Sequence, residues 1–295
     1  MKINEFIGQT PIIKDLQIHL HNAMLKTVPL EHMMLYGLPG LGKTTISQII
    51  SKELNTALFQ RTGQDLSREI LSEVLQQIFH DDIFFIDEIH STPKRTLELL
   101  YGPLQIINDM KLKGEVDQFY FEGMHLCPFT LIGATTHAGL LEKPLRDRII
   151  LSYNLTPYSM KELCAILDLH KCPSKPATMI AKRSRGIPRI ALNYFVRIRN
   201  SAITADKITP TICKETFQRL EIDDNGFTTS DIAVLKYLAQ NGVSSEATIY
   251  KSLNIDQSEY SQMLEPFLLH NNMIQVTSRG REITKKGLAY IDWTV

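Results

Sequence analysis

The sequence predicts an α/β fold, a parallel sheet covered by helices, followed by an all-helical segment and a terminal winged helix. Three observations predict it. Short apolar runs alternate with stretches of helical periodicity through the first half of the chain. Residues 159–220 then show helical patterning alone. From residue 228 on, about three short helices precede two short strand-like runs separated by Ser278-Arg279-Gly280-Arg281.

Taken in order, residues 11–26 read as a helix, with Ile12, Ile13, Leu16, Leu20 and Met24 near one face. Strands are expected at 33–36, 57–60, 83–86 and 129–134, with a fifth at 148–155. Strands separated by helical stretches build a parallel sheet with both faces covered. One segment departs from the alternation. Residues 111–126 hold Lys113-Gly114-Glu115 between two short runs, the second being Phe119-Tyr120-Phe121, and read as an inserted β-hairpin. Phe119 and Phe121 either meet a partner or pack onto the hairpin's own base. In the helical segment, Ser159-Met160-Lys161-Glu162 has the pattern of a capping box. A further helix is expected to start within Gly186-Ile187-Pro188-Arg189. Asp223-Asp224-Asn225-Gly226 is turn-rich and marks a boundary, so the expected domains are 1–156, 157–222 and 223–295. Three helices ending in a hairpin form the pattern of a winged helix, a helix-turn-helix relative that often binds DNA.

Gly37-Leu38-Pro39-Gly40-Leu41-Gly42-Lys43-Thr44 matches G-x-x-x-x-G-K-[ST]. In such a loop the glycines let backbone N–H groups turn inward around phosphates, the lysine reaches the β- and γ-oxygens, and the hydroxyl can hold Mg²⁺. The apolar Met33-Met34-Leu35-Tyr36 before it and Ile46, Ile49, Ile50 and Leu54 at helical spacing after it supply the strand–loop–helix that this chemistry needs. Some 40 residues on, Ile83-Phe84-Phe85-Ile86-Asp87-Glu88 is an apolar run ending in two carboxylates. Asp87, at the carboxyl end of a buried strand beside the phosphate loop, can hold a metal's water shell, and Glu88 can orient and deprotonate an attacking water. Gly133-Ala134-Thr135-Thr136 offers hydroxyls at the same edge of the sheet, able to sense a γ-phosphate or align the water. Arg146, Arg148 and Arg189 are arginines of the kind that stabilise transition-state charge, but spacing alone does not assign that role.

Hydrophobic residues make up 43% of the chain and charged residues 22%, the balance of a globular protein. No apolar run approaches a membrane span, and no signal-peptide core opens the chain, so no membrane association and a cytoplasmic location are expected. Cys127, Cys164, Cys172 and Cys213 form no C-x-x-C pair and read as free thiols. Net charge is zero, but its distribution is uneven. No acidic residue falls between Leu169 and Ala205, where Lys171, Lys175, Lys182, Arg183, Arg185, Arg189, Arg197 and Arg199 lie. Arg279, Arg281, Lys285 and Lys286 form a second basic cluster. The ordinary meaning of such runs is a solvated face.

Phosphate loop, Asp-Glu strand end, threonine strand end, Leu145-Arg146-Asp147-Arg148 and Gly186-Ile187-Pro188-Arg189, in this order, resemble an AAA+ ATPase. The resemblance is closer still to one family within it, RuvB, the bacterial Holliday junction branch-migration motors. It is carried by Glu5-Phe6-Ile7-Gly8-Gln9, Gly40-Leu41-Gly42-Lys43-Thr44-Thr45, Phe85-Ile86-Asp87-Glu88-Ile89-His90, Gly133-Ala134-Thr135-Thr136, Ala181-Lys182-Arg183-Ser184-Arg185-Gly186 and Glu265-Pro266-Phe267, and runs from about Asn4 to Thr284. It implies an AAA+ P-loop domain, a small all-α lid and a C-terminal winged helix. It also implies ATP/ADP and Mg²⁺ as ligands and a homohexameric ring on duplex DNA at Holliday junctions. A RuvA-type junction-binding partner would dock on hairpin 111–126, and a RuvC-type resolvase would be a further partner.

Residue by residue, the resemblance places Gly37, Gly40, Leu41, Gly42, Lys43, Thr44 and Thr45 around the nucleotide, with Thr44 and Asp87 at the metal and Glu88 at the water. Thr135 or Thr136 would be the first sensor, Arg189 the second, and Arg148, with Arg146 close by, the finger reaching a neighbour's ATP. Tyr158 matches a nucleotide-contacting tyrosine, Ile7 the adenine-side wall, and Arg279 and Arg281 the DNA-touching wing. The pattern departs at four places: no Leu-Arg-Pro lead-in precedes Glu5, His137 replaces an arginine, Ile149-Ile150 replaces Phe-Gly, and Val276 stands where the wing often carries an arginine. The rival expectations are a clamp-loader-like or initiator-like switch of the same superfamily, and a sequence-reading regulator with a vestigial ATPase.

Overall fold

The apolar runs of the first half assemble into one five-stranded parallel sheet in the order β2-β3-β6-β1-β7. The computed structural model describes residues 2–202 and 207–292. In chain order the first unit holds α1 (Thr10–Lys26), β1 (Met33–Tyr36), α2 (Lys43–Leu54), β2 (Leu58–Thr62), α3 (Arg68–Gln77), β3 (Ile83–Asp87) and α4 (Lys94–Lys113). The hairpin strands β4 (Phe119–Phe121) and β5 (Met124–Leu126) follow, then β6 (Thr130–Thr135), α5 (Lys143–Arg146) and β7 (Leu151–Asn154). Central strands β3 and β6 read as continuous apolar runs because helices cover both faces: Ile83–Ile86 and the whole of β6 are buried. Register aligns Tyr36 of β1 with Thr135 of β6, and Ile86 of β3 with Gly133 of β6. The carboxyl ends of these three strands therefore lie side by side.

Several expectations are corrected here. β6 lies between β1 and β3, so Asp87 is one strand removed from the phosphate-loop strand. β7 begins at Leu151 and not at Arg148, because the N–H groups of Arg148 and Ile149 close a turn onto Leu145 and Arg146. On α1 the buried stripe is Ile13, Leu16, Leu20 and Ala23, and Met24 is exposed. The inserted hairpin is shorter than 111–126. Residues 111–113 complete the last turn of α4, where the N–H of Gly114 (φ 74°) bonds Lys111 and Met110 and that of Glu115 also bonds Met110. The chain reverses instead at Glu122-Gly123, both at positive φ, which suits a two-residue hairpin turn. Phe119 is buried and Phe121 packs against the same core, whereas Tyr120 between them is exposed.

The second unit begins at Pro157, and Leu38–Gly40 of the phosphate loop partition with it. It holds α6 (Met160–Leu169), α7 (Ser174–Arg183), α8 (Pro188–Ser201) and α9 (Pro210–Arg219). Ser159 and Glu162 form the expected capping box, and Pro188 opens α8 at a position where its missing N–H costs nothing. Next come α10 (Thr229–Asn241), α11 (Glu246–Ser252), and α12 (Gln257–Glu259), which continues through a π turn into α13 (Glu265–His270). The wing is β8 (Ile274–Thr277) and β9 (Gly280–Ile283), antiparallel, with Ser244 pairing Arg281 as a third strand would. A final helix, α14 (Lys285–Asp292), was not expected from the sequence; the Thr284 hydroxyl accepts from Gly287 N–H at its start. Phe227, Val234, Leu235, Leu238, Ile249, Tyr260, Leu264 and Leu268 form the core of this segment.

Candidate functional site

The phosphate loop follows β1 directly. Gly37, Gly40 and Gly42 all stand at positive φ, 137°, 84° and 103°, which an L side chain rarely adopts. At Gly37 a Cβ would also lie 2.8 Å from the carbonyl oxygen of Leu155, and at Gly40 2.7 Å from Cβ of Arg189. Helix α2 then starts at Lys43, so the free N–H groups of its first turn face the loop, and Thr44 and Thr45 sit half-buried in that turn. Leu41 is fully buried and anchors the loop. Lys43, only 6% exposed, donates from its ammonium to the carbonyl of Gly37 at 2.7 Å. The Gly37 N–H in turn donates to Thr135 at 3.3 Å, tying the loop to the end of β6.

Asp87 ends β3, and its carboxylate accepts the N–H of Glu88 at 3.0 Å. Glu88 itself is left-handed (φ 46°), an unusual conformation for a non-glycine residue. That conformation turns its carboxylate toward β6. There Oε2 accepts both the N–H and the hydroxyl of Thr136, each at 3.1 Å. His90 Nδ1 lies 3.2 Å from the same oxygen and 2.8 Å from the Thr135 hydroxyl, which also accepts the His137 N–H. The His90 and His137 rings meet edge to face at 4.9 Å. Burial lowers the His90 pKa, with the Glu88 carboxylate opposing and His137 adding to the effect. The two strand ends thus bring Asp87, Glu88, Thr135 and Thr136 together, as expected. His90 and its pairing with His137 had no signal in the spacing, because both contacts cross between strands.

Hard oxygen donors, the Thr44 hydroxyl and the Asp87 carboxylate, suit a magnesium ion that keeps most of its water and takes phosphate oxygens. Among the described residues, no cluster of three or more His, Cys, Asp or Glu could hold a metal by itself, and the four cysteines are free. A nucleotide-borne ion is the kind this donor set fits.

The arginines separate. Arg148 donates to the carbonyls of Tyr101 (2.8 Å) and Pro144 (2.7 Å) and lies over the Tyr101 ring. Arg146 is exposed, with no side-chain bond among the described residues. Ile7 is half-buried, and the following turn is fixed by Gln9, whose side chain bonds the N–H and carbonyl of Thr156. In the second unit Tyr158 is buried and its N–H donates to Gly186 at 2.8 Å. Arg189 is exposed in the first turn of α8, and its N–H reaches the Gly40 carbonyl at 3.4 Å.

On the wing, Arg279 is exposed at the loop between β8 and β9. Arg281 departs from expectation: its guanidinium pairs with Glu246 at 2.9 Å and with Glu265, and so is committed within the chain. Within the first basic run Lys182, Arg189, Arg197 and Arg199 are exposed, as on a solvated face, but two arginines depart from it. The side chains of Arg183 and Arg185 are each only 6% exposed and pair with Asp224 and Asp231. No helix among the described residues is long and apolar enough to cross a membrane.

Three family models cover nearly all of this architecture. The RuvB P-loop domain model, described as that of a Holliday junction DNA helicase, matches residues 1–155. The RuvB AAA lid domain matches 160–223 and the RuvB C-terminal winged helix domain 224–292. The chain is 37% identical over 301 residues to the Holliday junction branch migration complex subunit RuvB of Ehrlichia ruminantium strain Gardel, spanning 98% of this chain and 91% of that one. Its identity to the RuvB subunit of Thermotoga maritima is 34% over 306 residues, spanning 99% and 91%. The solved structure of the Thermotoga maritima RuvB Holliday junction branch migration motor superposes with a TM-score of 0.86 over 99% of this chain and 97% of that one.

Proposed function

The chain belongs to the RuvB family of P-loop ATPases, and from that premise we propose that it is the motor subunit of a Holliday junction branch-migration complex. The observation that carries this reading is the Glu88–Thr136 pair at the adjoining ends of β3 and β6, next to an intact phosphate loop. ATP enters with its phosphates on the first turn of α2, cradled by residues 37–45, with Lys43 leaving the Gly37 carbonyl for the β- and γ-oxygens. Thr44 and Asp87 hold Mg²⁺, which when bound neutralises phosphate charge. Glu88 takes the proton of the attacking water, and Thr136, which donates to it, aligns that carboxylate. Thr135 holds His90 behind it. Ile7 and Tyr158 flank the base, and Arg189 reads the phosphates from the lid.

Arg148, with Arg146, serves a neighbouring subunit's ATP in a hexameric ring. Duplex DNA is touched through phosphates, and therefore independently of sequence, by Arg279. Arg281 instead anchors the wing. A RuvA-type protein docks on the hairpin, where Tyr120 is the exposed aromatic, and a RuvC-type resolvase can join the assembly. The functional domains are 1–156, 157–222 and 223–295, and the location is cytoplasmic.

The test is ATP-driven dissociation of a synthetic four-way junction, with and without a RuvA-type partner, by the wild-type chain and by Glu88→Gln. Dissociation by the wild type that disappears in Glu88→Gln is expected. Glutamine keeps an oxygen for Thr136 but not the basicity, so hydrolysis should fall by about 10²–10⁴-fold while nucleotide binding is kept. ATP hydrolysis without junction movement in any combination would replace the motor with a clamp-loader-like or initiator-like switch.

A further inference from the structure

Two buried charges of the second unit, Arg183 and Asp231, lie at one joint. Helix α7 ends at Arg183, and Arg185 follows in the left-handed region (φ 55°). Its guanidinium donates twice to the Gly226 carbonyl, at 3.2 and 3.0 Å, pairs with the Asp231 carboxylate, and lies 4.1 Å over the Phe267 ring. Asp231 has no exposed surface, and the same carboxylate accepts the N–H and hydroxyl of Thr228, each at 2.7 Å, closing the capping box of α10. Beside it the backbone of Gly226 passes so close to Arg183 that a Cβ would lie 2.8 Å from the Arg183 carbonyl oxygen. Arg183 pairs in turn with Asp224. Donors thus come from the α7 end and acceptors from the start of the winged helix.

On its other side the same short turn reaches the residues read as nucleotide-facing. Gly186 accepts from Tyr158 N–H, and Arg189, three residues later, lies in the first turn of α8. We propose that Arg185 is a positioning residue that fixes the orientation of the winged helix on the Arg189 turn, so that lid and winged helix turn as one body and the nucleotide state is delivered to the wing. A planar guanidinium held by two acceptors and a ring fixes direction as well as distance, which an apolar contact would not. Breaking the joint would leave the Asp231 carboxylate without its charged partner, which disfavours bending there. The proposal rests on the reading of Arg189 as a nucleotide-facing residue.

The test uses the full chain as Arg185→Met/Asp231→Asn, which removes both charges and orphans neither, alongside Arg185→Lys and Arg189→Ala. Hydrolysis without DNA (kcat and KM), duplex affinity, thermal unfolding, and stimulation of hydrolysis by DNA with junction dissociation are measured for each. The paired variant should keep basal kcat, KM and duplex affinity within about twofold and lose at least about tenfold in DNA stimulation and junction dissociation. Arg185→Lys, with charge but no fork, should fall between. Stimulation and dissociation within twofold of wild type in a folded paired variant would overturn the proposal. So would joint loss of hydrolysis, DNA binding and the thermal transition in both Arg185 variants, since that marks a structural ion pair only. Arg189→Ala separates the underlying reading: unchanged basal hydrolysis there refutes the nucleotide role of Arg189, whatever the joint variants do.

Discussion

Replacing Arg281 with alanine should cost the winged helix stability before it costs DNA contacts, and replacing Arg279 should do the reverse. The Arg281 side chain is 22% exposed, Glu265 is 11% and Glu246 29%. Removing one partner of a fully buried pair costs about 3–5 kcal/mol, and an exposed pair is worth about 1 kcal/mol or less. With one carboxylate nearly buried and the other at the rim, Arg281→Ala should cost about 2 kcal/mol, intermediate between those limits. The backbone bonds of residue 281 to Ser244 persist in the variant, so the loss falls on the side-chain pairs alone. Arg279 is exposed on the loop, so Arg279→Ala should leave stability within about 0.5 kcal/mol. It should weaken duplex binding across sequences and lower the salt slope of log K by about 1. Denaturant unfolding of the full chain, followed by a winged-helix probe, and DNA titrations at several salt concentrations measure both. If Arg281→Ala unfolds at the wild-type midpoint and lowers the salt slope as Arg279→Ala does, the commitment of Arg281 to its two carboxylates is wrong.

Two further outcomes are expected. His32 is fully enclosed, its Nδ1 accepts the Leu131 N–H, and burial pushes its pKa down to about 3, with Lys111 contributing. The unfolded chain takes up this proton near pH 6.5 and the folded one does not, so stability falls as pH drops below that value, by about 1 kcal/mol between pH 7 and pH 5.5. Urea midpoints at the two pH values, compared with His32→Phe, check this; an equal acid loss in the variant would assign it to other groups. Mixing Lys43→Ala subunits with Arg148→Ala subunits should recover part of the hydrolysis that each lacks alone, because one supplies the finger and the other the ATP site. No recovery in the mixture, at concentrations where the two variants co-assemble, would remove Arg148 from the neighbour's site.

The legible part of the molecule is the part whose partners are local or are ligands. Gly37, Gly42 and Lys43 sit within one loop, and the phosphates they would hold belong to no other segment, so spacing alone reveals them. Asp87 and Thr135 were legible for a related reason: a fully buried strand is an unbroken apolar run, and its first polar residue marks the carboxyl edge of the sheet. Sequence order could not show that β6 enters between β1 and β3, and with it that Thr136 would meet Glu88.

The same limit explains the larger miss. Arg183 and Arg185 carry the compositional mark of a solvated basic face, since no acidic residue stands near them in sequence. Their carboxylates, Asp224 and Asp231, lie some 40 residues on, across the boundary read there. Hairpin 111–126 failed differently. Gly114 is as suitable for closing a helix as for turning a hairpin, and the good helix formers Lys111, Leu112 and Lys113 ahead of it settle the competition for the helix. Chemistry toward a ligand is therefore written in contiguous motifs, whereas the joint that would pass a nucleotide signal to the wing is written in charges that look unpaired until the chain is folded. In a chain built this way, runs of one charge sign that lack local partners are the positions to examine first for coupling between domains.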